Sequence, residues 1–486
     1  MKKLIIILLV LALTTCAFAC TSGDKKGNGG KETASGETAP EIYELPDKDF
    51  GGRDVRIHAY EANIKREYFV AEDSANPVQS ALWTRNTTIE DTYSVEIVPL
   101  YANNDGTLYG QVNEVLQYYF AEEDNVDITA PVVVAAGTLI LNHVLYDWTE
   151  REYTHLEQSY WMQGINDAFT IENNLYIAAG DTNLTTVYYT YSMLLNLTKA
   201  NSLKLTEQIY NAVDDKEWTL DYFINLVAPL HDDIDEVPGE SQDDFYGFQG
   251  EALTNLDVWT FVFDIPMIEQ DDTDLLKLSF GQGEYTEKLS TAVDKMIQLY
   301  WETSGSLCHS AAGAEIRNFK AGHALLATIN FGQIINTVKD MEDQYTVLPY
   351  PMFDENQGEY LSGLQDGYTL LAIPVTTADP EFSSFMAEAL NIGAEKTIYP
   401  VYYEETLQTK YQTDARAPEM IELIMNGRHA DLGVVFQASL GRISMMFRDV
   451  VRANNNDITQ YLDQREENIL TALETIIDTY RNPQAN

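Results

Sequence analysis

Apolar and polar positions first alternate at Val55, Ile57 and Ala59, with Arg56 and His58 between them, the period-two pattern of a half-buried strand. Pro77 opens a helix through Trp83, Arg85, Asn86 and Ile89 to Tyr93, since proline is welcome in a first turn. Val95 to Val98 predicts a second strand and Gly106 to Phe120 a second helix; Val126 to Thr129, then Pro131 toward Trp148, repeat the order. Strand–helix alternation implies a parallel sheet with helices on both faces. In such sheets a ligand lies at the carboxyl ends of the strands, here Ala59-Tyr60-Glu61, Pro99-Leu100-Tyr101 and Thr129-Ala130-Pro131.

Further along, Leu175 to Ala179 reads as a strand ending in Gly180-Asp181-Thr182-Asn183, and Val187 to Leu195 as a strand-like, tyrosine-bearing run. Leu325 to Ile329 is a strand opening on Asn330-Phe331-Gly332, where a helix begins. The stretch Tyr345 to Glu381 reads as a strand ending at Leu348-Pro349, a polar excursion, and a second strand from Tyr368 to Ile373 stopped by Pro374. Pro349, Pro351 and Pro374 cannot donate to a ladder and mark strand ends or edges. The acidic, Gly-rich segment between the two strands predicts a crossing from one sheet to another, with a ligand cleft beside it. Glu381 to Leu390 is helical, and the tail ends in a helix with Ile469, Leu473, Ile476 and Tyr480 on one face.

Composition narrows this picture. At 486 residues the chain is too long for one core, so two domains are expected. A net charge of −46 excludes nucleic acid as a partner, because phosphate binding depends on Lys and Arg. Lys2 and Lys3, the apolar run Leu4 to Leu13 and Ala17-Phe18-Ala19 form a targeting signal over residues 1–19, with the run too short for a comfortable membrane span. Cleavage leaves Cys20 at the new N-terminus, which resembles a bacterial lipoprotein signal, although Ala17 stands where such signals usually carry Leu. Residues 20–44 then read as a Gly-, Ser- and Lys-rich tether to the membrane. Cys16 is lost with the signal and Cys308 is the one thiol left in the body, so no intrachain disulfide is expected there.

Several segments, in order, resemble the bacterial extracellular solute-binding proteins of ABC transporters, of the large sugar-binding, maltose-binding-protein-like kind. They are Arg85-Asn86-Thr87-Thr88-Ile89-Glu90 before a strand, Val126-Asp127-Ile128 before a helix, and Phe319-Lys320-Ala321-Gly322-His323-Ala324-Leu325. Val347-Leu348-Pro349-Tyr350-Pro351 and Tyr402-Tyr403-Glu404 through Tyr411 complete the series. The resemblance covers nearly all of the mature chain. It implies an α/β, type II periplasmic-binding-protein-like fold: two α/β lobes joined by hinge crossings, with a helical C-terminal segment. The crossings would fall near Gly180 to Asn183, Asp354 to Leu364 and Ile392 to Val401. The lobes would be 45–182 with 357–393, and 183–356 with 394–486. The implied function is a lipid-anchored, monomeric receptor on the outer face of the cell membrane, handing a carbohydrate to a membrane permease without a cofactor.

Sugar sites use aromatic faces for the apolar side of a ring and carboxylates or amides for its hydroxyls. With 30 Tyr, 18 Phe and 6 Trp, position has to separate site from core. Asp181 and Asn183 end a strand at an implied crossing, where the resemblance puts an acidic contact; the alternative is a turn cap. Asn330 and Phe331 stand at the mouth of a strand, and Trp259 aligns with an aromatic-bearing segment of the family; either ring has core packing as its alternative. Asp366 and Tyr368 flank the start of the second strand of the crossing stretch. Tyr60 and Glu61 follow the first strand. Asp233, Asp235 and Asp244 match positions of a calcium loop, but Val237 and Pro238 occupy places that need an oxygen ligand and a glycine, so a solvated loop without metal is expected. No G-x-S-x-G, H-E-x-x-H or P-loop pattern is present. A binding protein is therefore expected rather than an enzyme. A secreted glycosidase, which would use the same aromatics and a carboxylate pair, and a receptor for a peptide or polyamine remain as alternatives.

Overall fold

Two sheets organise the body of the chain in the computed structural model, which describes residues 43–234, 236–237, 241–271, 275–408 and 414–482, the backbone alone at 335 and 403–408. The expected signal peptide, Cys20 and the tether up to residue 42 lie outside the described residues, as do Asp235 and Pro238 of the acidic loop. The first sheet is built on the strand Arg53–Ala59, whose Val55, Ile57 and Ala59 are buried. It pairs in parallel with Val95–Tyr101 on one side, Ile57 opposite Pro99, and with Ile128–Thr129 on the other. The helix Pro77–Tyr93 makes the first crossover, with the bounds its pattern predicts. The Asn76 side chain accepts from Gln79 N, Pro77 supplies the first turn, and Ser94 closes the helix at a φ of 52°. The second helix starts later than its pattern suggests, at Gly110. Asp105 holds a turn there, accepting from Thr107 N at 2.8 Å, and the local bond competes with helix.

The segments around 178 and 371 extend this sheet. Leu371 N donates to Ala178 O at 2.7 Å, and Ala372 N to Thr129 O at 2.9 Å. The expected strands Leu175–Ala179 and Tyr368–Ile373 are thus extended and paired, through single antiparallel bridges instead of a continuous ladder.

The second sheet has six strands. Ala324–Asn330 is its buried centre, antiparallel to Tyr191–Asn196 and parallel to Phe245–Glu251. Tyr345–Leu348 extends it beyond Tyr191–Asn196, and Ser306–His309 and His231–Asp232 flank Phe245–Glu251. Burial on both faces explains why ALLATIN reads as an apolar run without alternation. Each fully buried Leu or Ile there contributes about 1.5–3 kcal/mol. In place of the long strand-like run from Val187, a one-turn helix Leu184–Tyr188 precedes the strand.

Between the sheets, three segments run side by side. Tyr191 N donates to Gly363 O at 3.1 Å, and Ser362 N to Gly427 O at 2.8 Å. The chain leaves the second sheet at Leu348 and reaches the first at Thr369, by way of this strip. The segment of the third expected crossing, 392–401, is helical throughout, inside Pro380–Gln408. Its Ala394 and Ile398 pack with Ala81, Leu82 and Leu184 in a small separate core, and that burial outweighs the N–H missing at Pro400. The C-terminal helix Glu466–Arg481 buries Ile469, Leu473, Ile476 and Tyr480 as its spacing predicts. Among the described residues no helix is long and apolar enough to cross a membrane.

Candidate functional site

The carboxyl end of Phe245–Glu251 passes through the turn Thr254–Leu256 into the helix Val258–Val262. That path brings Asp257 to a small cavity whose lining also includes Asp366, Tyr191, Phe261 and Met445. The cavity measures ≈ 20 Å³, room for about one water. Arg448, from the helix Met446–Arg452, places Nη1 at 2.9 Å from Asp257 Oδ2. Asp257 Oδ1 is buried without a partner. Burial pushes the Asp257 carboxyl well above the usual carboxylate range; Arg448 pulls the other way and Asp366 adds to the rise. Asp366 is pushed up by burial too, against the pull of Arg448. The site thus holds two carboxyls, one of them paired with a guanidinium whose charge also acts on the other.

Asp366 owes its position to its neighbours. Gln365 N donates to Tyr189 O at 2.9 Å, and the Gln365 Oε1 accepts from Asn330 Nδ2 at 2.8 Å. Gly367 beside it lies close to the Tyr189 ring, where a Cβ would be tight at 3.1 Å. Asn330 in turn caps the helix that follows its strand, accepting from Gln333 N at 2.9 Å. Carboxyls and an amide here can accept hydrogen bonds, a held arginine can donate them, and tyrosine and phenylalanine supply apolar walls.

The other residues singled out in the sequence fall into three places. Tyr60 and Glu61 stand at the end of the first sheet's central strand. The Tyr60 hydroxyl accepts from Gln111 N and donates to Thr107 O, each at 3.1 Å, while Glu61 is exposed and pairs with Lys65 at 2.5 Å. Tyr109 is half-buried nearby, and burial raises its hydroxyl pKa.

Asp181 and Asn183 lie on the strip between the sheets. Burial raises the Asp181 carboxyl to about 7; Glu395 adds to the rise and Arg428 opposes it. Asn183 is wholly buried and spends its side chain on protein: Oδ1 accepts from Gly180 N at 3.0 Å, and Nδ2 donates to Tyr68 OH at 3.0 Å and Thr369 Oγ1 at 3.2 Å. Gly180 is needed because a Cβ would strike the Asn391 amide, which accepts from Thr182 N at 3.0 Å.

Trp259, Phe331 and Tyr368 are enclosed by protein, at 0%, 1% and 2% exposure. Trp259 packs edge-on to Tyr350, ring centres 4.9 Å apart. The Tyr368 backbone carbonyl accepts from Val133 N at 2.9 Å. Asp366 is therefore the one predicted residue lining the cavity, with Asn330 one hydrogen bond behind it. Sequence reasoning passed over Asp257, Gln365 and Arg448. Arg448 carried a signal, since an arginine beside Phe447 and three before Val451 falls on the buried stripe of its helix and needs a partner. In the acidic loop, Asp244 is buried and accepts from Ile234 N at 3.1 Å. Among the described residues no group of three or more His, Cys, Asp or Glu is placed to hold a metal ion.

No family model and no curated protein matches the chain. Its fold is shared with solved structures. One is the galacto-N-biose-/lacto-N-biose I-binding protein of the ABC transporter from Bifidobacterium longum, in complex with lacto-N-biose. It is 11% identical, covers 90% of this chain and 98% of its own, and has a TM-score of 0.56. Another is a cyclo/maltodextrin-binding protein complexed with maltotetraose, 13% identical over 90% of this chain and 98% of its own, at a TM-score of 0.53.

Proposed function

We propose that the chain is the sugar-binding receptor of an ABC importer, anchored outside the cell membrane through Cys20 and binding a carbohydrate between two α/β lobes. The observation that carries this reading is a fold shared over 90% of the chain with proteins solved with lacto-N-biose and maltotetraose. The carboxyls of Asp257 and Asp366, together with Arg448 and the rings of Tyr191 and Phe261, supply the matching chemistry beside the strip between the sheets. In this reading the lobes take residues 45–182 with 357–393, and 183–356 with 394–486. They part about the strip between the sheets to admit the sugar, and the closed monomer docks on a permease.

Calorimetry of the purified protein with an oligosaccharide panel that includes lacto-N-biose and maltotetraose, followed by product analysis, tests the reading. Saturable binding with the sugar recovered intact supports the receptor. Release of cleaved sugar from Asp257 and Asp366 acting as acid and nucleophile overturns it in favour of a glycosidase. Cys20→Ala in the producing bacterium is expected to move the protein from the membrane fraction to the medium.

A further inference from the structure

One buried polar cluster stands apart from the residues that line the cavity. Glu67, on the short π-helical turn Ile64–Tyr68, is fully buried. Its Oε1 accepts from Thr185 N and from Thr185 Oγ1, both at 2.6 Å, and its Oε2 accepts from Thr369 Oγ1 at 2.7 Å. The two threonine hydroxyls lie 2.9 Å apart, and Thr369 N donates to Thr185 Oγ1 at 2.9 Å. Thr185 belongs to the chain's first passage between the sheets, and Thr369 to its later return.

A buried carboxylate is costly, and well-packed apolar side chains in its place commonly give equal or greater stability. Here its bonding capacity is spent on joining two distant segments at the place where both cross. The same turn also reaches outward. Arg66 stacks on the Tyr188 ring at 4.0 Å, and the Tyr188 hydroxyl accepts from Asn336 Nδ2 at 3.1 Å, beyond the end of the second sheet's central strand. Its other end continues directly from Tyr60 and Glu61 at the first sheet's strand end.

We propose that Glu67 is a hinge latch and a positioning residue for the binding cleft. It fastens the crossing at 182–185 to the segment at 366–369, where the chain returns to the first sheet, so that both bend as one pivot. The proposal rests on the two-lobe receptor reading above.

The test is the interlobe distance distribution of the ligand-free, full-length protein, read by pulsed electron paramagnetic resonance. Nitroxides are carried on unnatural residues at the exposed positions 96 and 287. Wild type is expected to give one narrow distribution. Thr369→Val, which removes one donor at nearly constant volume, should at least double its width, as should Thr185→Val. The double variant should be no broader than either single, because both act on one latch. Glu67→Ala should match the double. Widths equal to wild type in all variants, or broadening that adds across the two threonines, overturn the latch. A wild-type distance that shortens with lacto-N-biose or maltotetraose upholds the receptor reading even then, so the two failures are distinguishable.

Discussion

At the scale of single residues, the site turns on carboxyls held where water is scarce. Asp257 and Asp366 pay for burial with raised proton affinity, and Arg448 satisfies only one oxygen of Asp257. A sugar hydroxyl that donates to the ionised Asp366 carboxyl makes a charge-assisted hydrogen bond, worth about 1.5–3 kcal/mol. Asp366→Asn is therefore expected to weaken sugar binding about 10- to 150-fold by calorimetry. The urea midpoint should hold or rise, since the amide relieves a buried acid. Asp366 was legible because it stands just before a strand that follows a polar excursion. Asp257 was not: it lies two residues from Trp259, and attention to aromatics chose the ring. Nothing in the sequence told that Trp259 would be sealed against Tyr350 while its polar neighbour faced the cavity. An aromatic-rich chain supplies core and cleft from the same residue types, and only exposure separates them.

Elements show a sharper division. The helix Pro77–Tyr93 could be bounded from its own residues because a cap, a proline and an apolar stripe all lie within it. Where neighbours decide, local pattern says less: the helix Pro380–Gln408 runs on past Leu390, held by its packing on Ala81 and Leu82. Close approach between elements is also hidden in sequence. Gly137, in the helix Val133–Leu141, faces the 432–436 segment, and a Cβ there would lie 2.5 Å from Val435 O. A backbone carbonyl cannot step aside as a side-chain tip can. Gly137→Val should cost about 1–3 kcal/mol in urea unfolding through overpacking, whereas Gly164→Ala, on a helix with open space beside it, should cost nothing or stabilise.

For the molecule as a whole, pH is the most direct probe. Burial raises Asp181 to about 7, Glu315 to about 8 with Glu251 adding, and Asp431 to about 6. Each keeps a proton in the folded chain at pH values where the unfolded chain, with carboxyls near ~4, has lost it. Between about pH 4 and 8 the folded state therefore binds more protons, and stability falls as pH rises. Self-repulsion in a chain of net charge −46 acts in the same direction. Asp105 and Asp340, held low by Thr107 and Lys320, withdraw their contribution only at more acid pH, below about 4. Thermal unfolding is expected to peak on the acid side of neutrality, with Tm several degrees higher at about pH 5.5 than at pH 8. A Tm that rises steadily toward pH 8 would contradict these burials.

The sequence by itself determined the class of architecture. Period-two and period-3.6 patterns, prolines at strand ends and the order of segments predict an α/β body in which chain crosses between sheets, because those signals act over a few residues. It also led to the idea that a crossing stretch borders the site, and Asp366 lines the cavity. What only the tertiary structure decided is which polar groups meet. Glu67 lies 118 residues from Thr185 and 302 from Thr369, and Asp257 finds its guanidinium on Arg448, in the C-terminal helices. No local spacing encodes such partners. They are set by how the two sheets are brought together, and a buried charge is tolerable only where that assembly supplies its hydrogen bonds.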